Sequence, residues 1–175
     1  MRYGTILLMA LIVLSTAAFS PLRNAPPAGK PVAAKPVQLW QRQCASCHGE
    51  TGENFHASFR NVTENRLQTS TRDMAEMRDL QLSDPQYWAL IAYLRSVREK
   101  EPFIAWVAPN ELETCPNAAI KLEPKGTATK IAPGRWRITG FDPARTTVVA
   151  TSRKKTTRLV LKRAAYSHGD PIPGR

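Results

Sequence analysis

Cys44, Cys47 and His48 stand together in "QRQCASCHGE" (residues 41–50), with the imidazole directly after the second thiol. Three chemistries use such a set. In c-type haem attachment each thiol adds to one vinyl group at the porphyrin edge, and the adjacent imidazole lies under the iron as proximal ligand. A zinc site needs a second pair of ligands; the remaining candidates, Cys115, His56 and His168, are widely separated and show no ligand spacing. A redox dithiol opens a helix in a βαβ context, and no strand is readable ahead of Cys44. The pattern therefore favours one covalently attached haem c, with thioethers at Cys44 and Cys47 and His48 as the proximal axial iron ligand.

The elements around these residues must hold them in place. Pro36 suits a first helical position, and Val37, Trp40, Cys44 and Cys47 recur at spacings of three and four along one short helix. The clearest element is "LSDPQYWALIAYLRSVREK". Ser83 with Gln86 forms a capping box, Asp84 favours the positive helix end and Pro85 is tolerated in the first turn, so a helix is expected from Asp84 to Lys100. Tyr87, Leu90, Ile91, Leu94 and Val97 form one apolar stripe facing a core, flanked by Trp88 and Tyr93.

With "LWQRQCASCHGETGE" and "LSDPQYWALIAYLRS", residues 36 to 100 resemble the class I cytochrome c family. The resemblance implies a small, mainly helical fold around one haem, with the first and last helices crossing near an aromatic pair. Trp40 and Tyr93 hold the matching places. It also implies a methionine sulfur on the distal face of the iron, shortly before the final helix. "TRDMAEMRDLQLSD" offers Met74 and Met77; Met74 is favoured because the family often has a large apolar residue three positions after the ligand, and Met77 fills that place. His56 follows His48 too closely to carry the chain round to the other face, which leaves it a surface or propionate-contacting residue. The implied activity is electron transfer between a redox donor and acceptor, without a catalytic acid, base or nucleophile. An exchangeable sixth ligand would instead permit reduction or sensing of a small molecule.

The 175 residues divide by composition and charge. Arg2, the apolar run Ile6 to Leu14 and the small residues Ser15 to Ala18 read as an export signal over residues 1–19. Tyr3 to Phe19 carries no charge and reaches the roughly 17-residue minimum of a membrane-spanning helix, so an uncleaved anchor is the rival reading. Either places the bulk of the chain in the periplasm or on the outer face of the cytoplasmic membrane. Residues 20–36 are a Pro/Ala-rich linker expected to stay extended, 37–100 the haem domain, and 101–114 an irregular connector. From 115 to 175, the β-branched runs "AIKLEP", "RWRITGF", "TTVVATS" and "TRLVLKRA", separated by turn signals, read as a small antiparallel β module. The expected fold class is thus α+β, a mainly α cytochrome c domain followed by a β module.

Charge follows the same division. Residues 38–114 carry eight basic and eleven acidic side chains, whereas residues 115–175 carry thirteen basic and three acidic. Export argues against nucleic acid as the basic module's partner, leaving an acidic protein surface or an anionic membrane. The module could equally be an accessory structural unit making the essential contact of a larger redox complex. Cys115, left over once the haem pair is assigned, reads as a buried thiol.

Overall fold

The computed structural model describes residues 29–169. The export segment, most of the linker and the residues from 170 lie outside the described residues. Four α-helices come first: α1 (Pro36–Gln43), α2 (Ala45–His48), α3 (Glu64–Met77) and α4 (Asp84–Glu99), with a 3-10 helix at Ala57–Asn61. Seven antiparallel strands follow: β1 (Phe103–Ala108), β2 (Glu111–Cys115), β3 (Ala119–Glu123), β4 (Thr127–Ala132), β5 (Arg135–Thr139), β6 (Thr147–Ser152) and β7 (Lys155–Val160). They form one sheet of order β1-β2-β5-β4 and a second of order β3-β6-β7. The architecture is α+β in two modules. Among the described residues no helix is long and apolar enough to cross a membrane.

The segment carrying Cys44 and Cys47 is interrupted where one continuous helix was expected. At Cys44 the backbone moves to φ −122°, although its N–H still bonds the Trp40 carbonyl at 2.8 Å. α2 then makes a single turn carrying Cys47 and His48. α3 was not read from the sequence, because its buried face is only Leu67, Thr71 and Ala75 and the other positions are polar. Its start is nonetheless encoded, since the Thr63 hydroxyl accepts the Arg66 N–H at 3.3 Å.

α4 begins at the expected capping box, where Gln86 Oε1 accepts the Ser83 N–H at 2.9 Å. It ends at Lys100, which takes the left-handed conformation at φ +58°. The expected single stripe is too narrow a description. All eight residues from Ala89 to Ser96 are buried, because α1 and α3 pack against the helix on one side and β1 on another.

Residues 101–114 are corrected from an irregular connector to the hairpin of β1 and β2, so the β module begins at Phe103. Phe103, Ala105 and Val107 point into the helical core with Trp40 and Tyr93. Ile104 and Trp106 point into a second core with Leu112, Ile138, Val148 and Leu159. Burial on both faces removes the polar alternation that marks a half-exposed strand, which is why the run was unreadable as one. The outer side of β1 is covered as well: the Trp106 N–H donates to the Ala165 carbonyl at 2.7 Å and the Ser167 N–H to that of Ile104 at 2.9 Å.

Sheet and helices are therefore successive layers, with the β1 sheet between the helices and the second sheet. The end of the linker joins this packing. Val32 and Ala34 are buried, and the Val32 N–H donates to the Trp106 carbonyl at 2.7 Å, so the end of the expected linker packs on β1 instead of only spanning to the helices. The β6–β7 hairpin pairs from Thr147↔Val160 to Ser152↔Lys155, so β7 takes in Lys155 and Thr156 and the last four residues of "TRLVLKRA" lie beyond it. β4 went unread because its exposed Thr127, Thr129, Lys130 and Ile131 leave it little apolar pattern.

Two buried ionic groups tie the layers. Arg95, 8% exposed, donates from Nε to Glu64 on α3 at 3.0 Å and from Nη1 to the His168 carbonyl at 3.0 Å. Burial pushes the Glu64 carboxyl up, but hydrogen bonds from Arg95 and Gln68 outweigh it and hold the group below its ordinary range. Glu113 on β2 is fully buried, and its Oε2 accepts the Val37 N–H of the first turn of α1 at 3.1 Å, while Oε1 has no partner. Burial raises the Glu113 pKa, against the lowering effect of its hydrogen bonds from Val37 and Gln38.

A raised folded-state pKa means that Glu113 favours the folded chain most below the ordinary carboxylate range, and that this contribution is lost as pH rises through the folded value. Glu113→Gln keeps an acceptor for Val37 without the charge, so its stability relative to the parent should rise with pH across that window. Glu113→Ala should lose about 1–3 kcal/mol by leaving the Val37 N–H unpartnered. Thermal unfolding of both variants at several pH values checks the pair.

Candidate functional site

Three of the residues that could do chemistry, Cys44, His48 and Met74, converge on one apolar cavity, and Cys47 is not among its lining. Cys44 and His48 line it from the first helical segment, Phe55 and Phe59 from the following loop and 3-10 helix, Met74 from α3, and Leu94 from α4. Cys47 is exposed, and the Arg78 guanidinium lies 3.6 Å from its sulfur. Partial burial raises the Cys44 pKa, with Arg78 acting in the opposite direction. Met77 is 73% exposed at the end of α3 and is not among the cavity-lining residues, whereas Met74 is 37% exposed and is. The structure thus brings Met74, not Met77, to the cavity that His48 lines.

A row of rings fixes the histidine. The centroids of Phe103 and Tyr93 are 5.4 Å apart, those of Tyr93 and Trp40 5.1 Å, and those of Trp40 and His48 5.8 Å. Phe55 stacks on His48 at 4.6 Å and also lies 5.8 Å from Trp40, so the three rings form a triangle, and Phe59 stacks on Phe55 at 4.0 Å. Such contacts each contribute about 0.5–1.5 kcal/mol beyond area burial. The family resemblance pointed to Trp40 and Tyr93; nothing in the sequence marked Phe55 and Phe59, which sit in a loop and a 3-10 helix without periodicity.

The backbone after His48 is set by Glu53. Its carboxylate accepts the Thr51 N–H at 2.7 Å and the Glu50 N–H at 3.1 Å, closing the loop. Its own backbone N–H, and then those of Thr51 and Glu50, hold the Glu53 carboxyl below the usual carboxylate range. Gly49 sits at φ +82°, and a Cβ there would lie 2.3 Å from the Glu53 carboxyl carbon, so glycine is required immediately after the histidine. The Trp40 indole N–H donates to the Gly49 carbonyl at 3.1 Å, tying the loop back to α1.

Cys115 belongs to this support. Its sulfur lies 3.2 Å from the Tyr93 hydroxyl, and both groups approach the Glu50 carbonyl. Burial pushes the Cys115 thiol up to about 11. His56 is exposed and caps the 3-10 helix through the Ser58 N–H at 3.3 Å. His168 has its side chain 7% exposed, facing Glu101 at 3.3 Å, away from the cavity-lining residues.

A thiol, an imidazole and a thioether on the wall of a cavity otherwise lined mainly by Phe and Leu side chains fit a haem. The flat porphyrin needs apolar walls, and the iron takes His and Met as axial ligands. A helix-lined cavity of this kind suits a haem-binding cytochrome domain. Residues 31–94 match the family model described as cytochrome C oxidase, cbb3-type, subunit III. That match supports a cytochrome c domain over these residues, with electron transfer through a haem as its activity and redox proteins as its partners. The curated proteins and the solved structures give no significant match to the chain.

A thiol with a pKa near 11 is almost entirely protonated at pH 8 and is screened by its burial. Cys115 should therefore resist iodoacetamide in the folded haem-loaded protein and react fully once guanidinium unfolds it. Mass spectrometry of the Cys115 peptide before and after unfolding reads both states.

Proposed function

We propose that the chain is an exported monohaem c-type cytochrome that passes single electrons between a redox donor and acceptor, as a subunit or docked carrier of an oxidase-type complex. The observation that carries this reading is Cys44, His48 and Met74 lining one apolar cavity. The haem, when bound, supplies the one-electron chemistry. Cys44 and Cys47 hold it through thioethers, which prevent its loss outside the cytoplasm. His48 and Met74 would hold the iron, and a histidine–methionine pair would raise its reduction potential relative to two histidines. Phe55, Phe59, Leu90 and Leu94 exclude water from the porphyrin faces, so that oxidation state changes with little solvent rearrangement.

The N-terminal apolar segment directs export and leaves the protein in the periplasm or on the outer face of the cytoplasmic membrane. The double substitution Cys44→Ala, Cys47→Ala should release all haem into acidic organic solvent, where the parent retains it on the polypeptide. Persistent attachment in that variant would end the thioether assignment.

The distal ligand has its own test. Met74→Ala should abolish the near-infrared methionine-to-iron charge-transfer band and make the reduced protein bind CO rapidly, whereas Met77→Ala should change neither. CO binding by the parent protein at the same rate would replace the carrier reading with that of an exchangeable sixth site.

A further inference from the structure

The β module's cations are not evenly placed. The loops at residues 124–126, 140–146 and 161–163 all emerge at one end of the two sheets, because the pairs Thr127↔Thr139, Glu123↔Thr147 and Thr147↔Val160 align there. These loops carry Lys125, Arg145, Lys162 and Arg163, all exposed. Lys30 joins them, since the Gly29 N–H donates to the Leu161 carbonyl at 3.1 Å. The acids nearby are already engaged: Glu123 with Lys121 at 3.0 Å and Arg158 at 2.8 Å, Glu111 with Arg135 at 2.6 Å, and Asp142 with Arg145 at 3.8 Å. Lys125, Lys162 and Arg163 form no ion pair among the described residues. The opposite end also carries exposed Arg153 and Lys154, but carboxylates are gathered there: Lys155 of the β6–β7 hairpin pairs with Glu101 at 3.4 Å, and Glu99 and Glu101 both face His168.

The cationic end is also where the chain enters the described fold. Nine residues separate the uncharged run ending at Phe19 from Gly29, and even fully extended they would reach only about 30 Å. If that run lies in a bilayer, this end of the sandwich is the part of the module held within reach of the headgroups.

We infer that the end of the β sandwich formed by Lys30, Lys125, Arg145, Lys162 and Arg163 rests on anionic lipid headgroups. The contact orients the cytochrome domain on the membrane surface. It extends the export reading of the preceding section and is independent of the haem assignment. Lysine and arginine suit this surface because each attracts anionic headgroups without needing a shaped pocket.

The test uses the haem-loaded full chain with nanodiscs of phosphatidylcholine alone or with about one third phosphatidylglycerol, read by hydrogen-exchange mass spectrometry. Amides at 124–126, 140–146 and 161–163 should exchange several-fold more slowly on the anionic discs. The protection should vanish at about 0.5 M salt, where screening acts within a few ångströms. Serine at all five positions should remove it, affinity falling about five-fold per cation, while Arg153→Ser with Lys154→Ser at the other end should leave it intact. Equal exchange on both discs, or loss only in the Arg153/Lys154 variant, overturns the inference. An unchanged haem spectrum and normal reduction in the same samples would show that the carrier reading stands regardless.

Discussion

The structure depends on β1 being buried on both faces. Alternate residues of one strand enter two cores: Phe103, Ala105 and Val107 meet the helices, while Ile104 and Trp106 meet the second sheet. Burying each large side chain contributes about 1.5–3 kcal/mol, so neither core can lose the strand cheaply. The helical domain and the β module consequently form a continuous layered body, and the chain on both sides of the haem motif is committed to the same sheet.

That arrangement reaches the site through its back wall. The cavity-lining residues come from the helices and the loops between them, yet the groups behind them come from the sheet. Phe103 sits edge-on to Tyr93, Cys115 meets the Tyr93 hydroxyl, and Glu113 accepts from the first turn of α1. Trp40 carries the constraint forward, touching Tyr93 on one side and His48 on the other and donating to the carbonyl of Gly49. The imidazole is thus positioned by a chain of contacts that begins outside the cytochrome domain. In the haem site proposed above, these outer contacts would orient His48.

What was legible in the sequence was what obeys a local rule. The spacing of Cys44, Cys47 and His48, the Ser83–Gln86 capping box and the turn-bounded runs of β3, β5, β6 and β7 each follow from a few neighbouring residues. The features that escaped are set by distant partners. β1 lost its alternation through two-sided burial, and the linker's last residues are buried only because β1 offers Trp106 as a partner to Val32. α3 shows a buried face too sparse for periodicity, so the helical setting of Met74 was unreadable although the residue itself was singled out. Phe55 and Phe59 were missed for a similar reason, as rings in a loop reveal their role only when the fold stacks them on His48.

The layered packing also decides how the β module's role can be separated from its structural contribution. The family match begins at residue 31, one position before Val32, and ends at residue 94, before any strand. The matched segment therefore includes a strap whose partner lies outside it. Removing residues 115–175 would take β5 from β2, Cys115 from Tyr93 and the residue 165–167 cover from β1, exposing the apolar side chains of the β core. A truncated chain would report that loss of support at the site whether or not the module docks to anything. The exposed cations of the loops make no part of either core. Substituting them changes the surface charge while leaving Tyr93, Trp40 and His48 in place, so an orientation effect can be distinguished from a stability effect.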